Sequence, residues 1–124
     1  MGRLTEDLLS RIEAFCDRVL DVCVRLEQAR VSWRIVDQLT GCGTAVGANA
    51  FEADEALSRA DFCKIIGISI KELNEARFWL RLVERRGMVA SGQTEPLQAE
   101  LAELKKILGS ILSRSRESMA KLGR

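Results

Sequence analysis

Apolar residues recur at steps of three and four along most of this chain, in four stretches separated by short polar breaks. In the first, about 4–28, Leu8, Ile12, Phe15, Val19, Val22 and Leu26 form one helical face, widened by Leu9, Cys16, Leu20 and Cys23. Arg11, Asp17, Arg18, Asp21 and Arg25 lie opposite, a solvated surface of mixed sign. The second stretch, about 32–56, has Ser32 in position to cap it. No Gly or Pro separates it from the first. A single helix of about fifty residues would leave its wide apolar face unburied, so a turn is expected near Arg30. The third, about 59–86, carries the seam Phe62, Ile66, Ser69, Leu73, Ala76, Leu80 and Val83. Ser58 with Asp61 suits a capping box, and Gly87 after Arg85 and Arg86 suits a C′ glycine. The fourth, about 96–122, opens at Thr94, Glu95 and Pro96, because proline is tolerated in a first helical turn. Leu97, Leu101, Leu104, Leu108, Ile111 and Ser115 line its inner face, and Met119 and Leu122 continue it.

Four helices of ~25 residues, each ~37 Å long and joined by short loops, predict an all-α, antiparallel, up-down-up-down four-helix bundle. The 124 residues suffice for one domain with one core, spanning residues 1–124. One proline, no tyrosine and 5% aromatics argue against a sandwich or barrel. No apolar run approaches the ~18 residues of a membrane span, and no secretory leader is expected.

Chemistry is sparse. Histidine is absent, which removes the usual general base and the commonest transition-metal ligand. Cys16, Cys23, Cys42 and Cys63 form no C-x-x-C pair and read as small buried apolar residues in a reducing compartment. There is no nucleophile–base pair, phosphate loop or metal constellation, so neither an enzyme, a metal, a cofactor nor a small-molecule substrate is expected. Glu72 and Glu75 are spaced like carboxylates of a di-iron bundle, but that site needs Glu-x-x-His.

Residues 41–50 depart from ordinary helix composition. Gly41, Gly43 and Gly47 each cost roughly 0.8–1 kcal/mol against alanine in a helix interior. Gly43 and Gly47 share a face, with Ala50 one turn on, so a second backbone can approach closely. That backbone could belong to the same bundle, to a neighbouring chain or to a ligand contact. Asn49 and Glu52 project side by side. Buried carboxylates at Glu52, Glu72 or Glu75, accepting from Asn49, Thr44 or an arginine, would fix helix register or an interface.

Several of these residues follow a known order. Gln38-Leu39, then Thr44-Ala45-Val46-Gly47-Ala48-Asn49, Glu52-Ala53, Ser58-Arg59, Asp61-Phe62, Lys71-Glu72, Glu75 and Trp79-Leu80 resemble the pattern of the 23S rRNA-intervening-sequence protein family. The match runs from Ile35 to Val83, about two fifths of the chain. Thr40 and Gly41 stand where the family is often basic, and Gly43 is also a departure. The resemblance implies a four-helix bundle, a bacterial cytoplasmic location, a ring-shaped homo-oligomer (a pentamer) and no enzymatic activity. A related group, accessory proteins of diversity-generating retroelements, binds nucleic acid and a reverse transcriptase through a basic surface.

Two functional classes follow. The first is a self-assembling interaction or scaffolding module. Phe78 and Trp79 flank the Leu80 seam, so at least one faces outward and is expected in a subunit interface. The second is a nucleic-acid-binding accessory protein. Arg77, Arg81 and Arg85 stripe one helix beside Arg86, and Arg114, Arg116, Lys121 and Arg124 close another. The two groups are expected at opposite ends of the bundle. A formal net charge of +1 supplies no strong global field, and Trp33, Phe78 and Trp79 are the candidates for base stacking.

Overall fold

Thr5 opens the first helix: its hydroxyl oxygen accepts from the Leu8 backbone N–H at 3.2 Å. Leu4 and Leu9 flank this cap at the positions of a hydrophobic staple, and both are buried. In the computed structural model, which describes residues 2–122, this helix is α1, Glu6–Gln28. It is followed by α2 (Trp33–Asp54), α3 (Arg59–Arg85) and α4 (Ser91–Leu122). Among the described residues every regular element is a helix, and their packing is that of a four-helix bundle.

The turn expected near Arg30 is centred there. Arg30 adopts φ 59°, a left-handed conformation uncommon for a residue with a Cβ. Ser32, however, makes no side-chain cap bond; only its carbonyl receives the first helical N–H groups. Ser58 does cap α3, accepting from the Asp61 N–H at 3.1 Å. Gly87 takes φ 68° just after α3, as a C′ glycine does.

The fourth helix differs from expectation. It starts at Ser91, so Pro96 lies inside it. Pro96 leaves the Gly92 carbonyl without its helical N–H, but Gly92 is exposed and water can serve that carbonyl. The added turn is fastened from outside: Thr94 is fully buried, and its hydroxyl donates to the Glu84 carboxylate of α3.

The core joins all four helices. The α1 and α3 seam residues named above are buried, Ser69 included, whose hydroxyl donates to the Val46 carbonyl at 2.8 Å. At the edge of the α1 face, however, Cys16 is only half-buried and Leu20 is 38% exposed, because they lie on the rim of the helical stripe. In α4 the inner face drifts. Leu97, Leu101, Leu104, Leu108 and Leu112 are buried, while Ile111, Ser115 and Met119 are half-buried and Leu122 is exposed. The α2–α3 interface is the most extensive and the α1–α4 interface the least. Across that thin seam Arg11 makes a bidentate pair with Glu100 at 2.7 and 2.8 Å.

Candidate interaction surfaces

The small-residue face of α2 is used within the chain. Gly43 and Gly47 are buried against α1. A Cβ on Gly43 would collide with Val19, and one on Gly47 would stand 2.8 Å from the Cys16 Sγ. The Cys16 thiol donates to the Gly43 carbonyl at 3.3 Å, a contact that needs this close approach. Ala50 is fully buried in the core. Gly41 faces open space.

The expected buried carboxylates are not found. Glu52 and Glu75 are exposed and Glu72 is half-buried. Asn49 donates to its own helix, to the Ala45 carbonyl at 2.8 Å, and Thr44 likewise to Thr40 at 2.8 Å. Both polar groups satisfy themselves within one turn, as short polar side chains do in helices, and make no bond to the carboxylates. Partial burial, aided by Glu75, raises the Glu72 carboxyl above its ordinary value. Burial pushes the Cys42 thiol up to about 12, with Glu75 and Glu72 adding to it. Among the described residues no group of three or more His, Cys, Asp or Glu side chains could hold a metal ion.

Phe78 faces outward and is 56% exposed. Trp79 is half-buried and meets Phe78 edge to face, with ring centroids 5.0 Å apart at 77°. Trp33, at 71% exposed, adds a third aromatic at the surface.

The arginines fall into separate grooves. Arg77 lines a cavity of about 490 Å³ between α3 and α4 with Gln98, Lys105 and Lys106. Arg81, Arg85 and Arg86 are exposed further along α3. Arg114 lies elsewhere, in a groove between the start of α1 and the later half of α4, beside Arg3 and Arg11. Arg116 and Lys121 are exposed on the last turns of α4, and Arg124 lies outside the described residues. The sequence reading missed Lys105 and Lys106 beside Arg77, and Arg3 and Arg11 beside Arg114. Each of these neighbours is brought up by another helix or turn, and the only advance signal was their charge.

Comparison with known proteins follows the same lines. No curated protein matches the chain. Among solved structures, a crystal structure of a protein of unknown function from the S23 ribosomal protein family of Bacteroides thetaiotaomicron superimposes with a TM-score of 0.81. It shares 31% identity, over 85% of this chain and 97% of that one. The family model for 23S rRNA-intervening sequence proteins matches residues 7–110, which takes in all of α2 and α3 and most of α1 and α4. The chain belongs to the 23S rRNA-intervening sequence protein family.

Proposed function

We propose that this protein is a non-enzymatic, self-assembling interaction module of the cytoplasm, acting as a scaffold for a macromolecular partner. The observation that carries this reading is the exposed Phe78, held edge to face on Trp79, which itself packs half-buried against the core. An aromatic pair of that size on a solvated helix is costly to leave in water and favourable to bury between chains. The assembly is a closed ring of five copies, as the family resemblance implies, and a ring repeats each surface feature about its axis. Among the described residues no helix is long and apolar enough to cross a membrane. Light scattering coupled to size exclusion tests assembly. The native chain is expected as an oligomer, and Phe78→Ala and Trp79→Ala, made singly, are expected to shift mass toward the monomer. Unchanged mass in both variants would refute a role for this pair in assembly.

A second reading has its own support. Arg77, Lys105 and Lys106 converge on one groove from two helices, which a lone charged helix face would not achieve. We infer from this an alternative role as a nucleic-acid-binding accessory protein, for RNA or DNA, in company with a reverse transcriptase or ribosomal RNA. Anisotropy of labelled structured RNA and duplex DNA over a salt series tests it. Saturable binding that weakens steeply with salt supports this role. Absence of binding even at low salt removes it.

A further inference from the structure

We propose that the groove between the start of α1 and the later half of α4 docks an acidic amphipathic helix of a partner protein. The apolar floor is where the core stays incompletely covered. Leu4 and Leu8 on this seam are buried but, together with Leu112, are the least covered of the core side chains, at 9%, 8% and 8% exposed. Ile107 and Ile111, one turn apart on α4, are half-buried and form the opposite wall. The cavity between these walls is about 470 Å³. A second cavity of about 270 Å³ shares Arg3 and Ile111 with it and extends the groove to Arg59.

The rim is cationic. Arg3, Arg59 and Arg114 form no ion pair among the described residues. Arg11 is engaged by Glu100, Asp7 lines the groove, and the Asp54 carboxylate borders it behind Arg3, bonded to the Leu4 N–H. Arg3 is already fixed in place: its Nε donates to the Ala56 carbonyl at 3.1 Å, and its guanidinium lies 5.9 Å from the Phe62 ring centroid. The backbone behind it is tied down too, with the Leu4 N–H donating to the Asp54 carboxylate at 2.6 Å. A guanidinium held this way loses little freedom on meeting a carboxylate. The floor of the larger cavity is aliphatic, and Phe62, the aromatic lining the smaller one, is buried and faced by the Arg3 guanidinium, so little is left for bases to stack on and a peptide is favoured over nucleic acid. A helix with Leu or Ile at i, i+4 and i+7 and Glu or Asp on both flanks satisfies floor and rim together. This inference names a second kind of partner at a surface distant in sequence from Phe78, and its argument makes no use of the ring.

The probe is a panel of fluorescein-labelled helical peptides of about 18 residues, with fixed Leu anchors and varied Glu registers, read by anisotropy against the full chain. The expected result is saturable binding of acidic members, with Lys-for-Glu counterparts failing to bind. Arg114→Glu is expected to weaken binding at least about tenfold, and the exposed Arg81→Glu to leave it unchanged. Ile111→Ser provides a second, uncharged disruption of the floor, with circular dichroism confirming that each variant folds. Three results would overturn the proposal. These are no saturable binding by any acidic peptide, equal binding of the Lys series, or a change of mass in solution for Arg114→Glu, which would assign the groove to a second copy. An RNA oligonucleotide that binds through Arg114 where no peptide does would assign it to nucleic acid instead.

Discussion

Gly43 of α2 lies so close to Val19 of α1 that the glycine has no room for a methyl group. The contact involves more than a movable tip, because the Val19 Cβ itself would be 3.1 Å away and a β-branched side chain is stiff. Two glycines in one helix therefore have opposite worth. Gly43→Ala should overpack the α1–α2 interface and lower stability by about 1–2 kcal/mol, after allowing for the gain in helix propensity. Gly41→Ala, which meets nothing within 4 Å, should raise stability by about 0.5–1 kcal/mol. Urea unfolding at one fixed protein concentration checks both.

The α1–α4 ion pair makes stability depend on pH. The hydrogen bond and charge of Arg11 hold the Glu100 carboxyl below its ordinary value. The folded state therefore binds that proton less readily than the unfolded chain does. The stabilisation is present above the ordinary glutamate value and is lost as pH falls through the depressed one. Arg11→Met should unfold more easily than wild type near pH 7, with the gap closing in acid. Melting temperatures from neutral pH downward would show it, and a gap that persists in acid would contradict it.

Glu72 carries the opposite sign. Its raised carboxyl value means that the charged form is disfavoured by folding. Glu72→Gln should therefore stabilise the protein at neutral pH, and the benefit should vanish at low pH, where the native carboxyl is protonated. The same pH series of melts measures this.

Cys42 should be the slow thiol. It is buried, and its displacement to about 12 leaves almost no thiolate at pH 8. Iodoacetamide at that pH should label the native chain at Cys42 only on the timescale of unfolding, and rapidly in urea. Peptide mapping by mass spectrometry gives both rates.

If nucleic acid occupies the α3–α4 groove, Lys105→Gln and Arg77→Gln should each reduce the slope of log K against log salt by about 1. Arg114→Gln, in a separate groove, should leave that slope unchanged.

The helical faces were legible because helix geometry alone dictates them: residues such as Phe15 and Leu73 fall on a period that only one side of a helix satisfies. The turn at Arg30 was reached by elimination, since a bundle needs it where no glycine announces it. The early start of α4 was hidden, because Thr94 gains its Glu84 partner only once α3 and α4 are side by side. Asn49 and Glu52 misled for a related reason. Their spacing put them on neighbouring positions but did not reveal that Asn49 would turn back to the Ala45 carbonyl. Grooves were the least legible, as Arg3 and Arg114 are more than a hundred positions apart and meet through packing alone.

The unequal seams of the bundle imply an order of breathing. Wherever α1 and α4 part, no linking loop is strained, since these two helices are joined only through α2 and α3. Local opening should therefore begin as a book opens at its covers, with α2 and α3 as the spine. Amide hydrogens of α2 and α3 would exchange with solvent last, near the free energy of global unfolding, and those along α1 and α4 would exchange earlier.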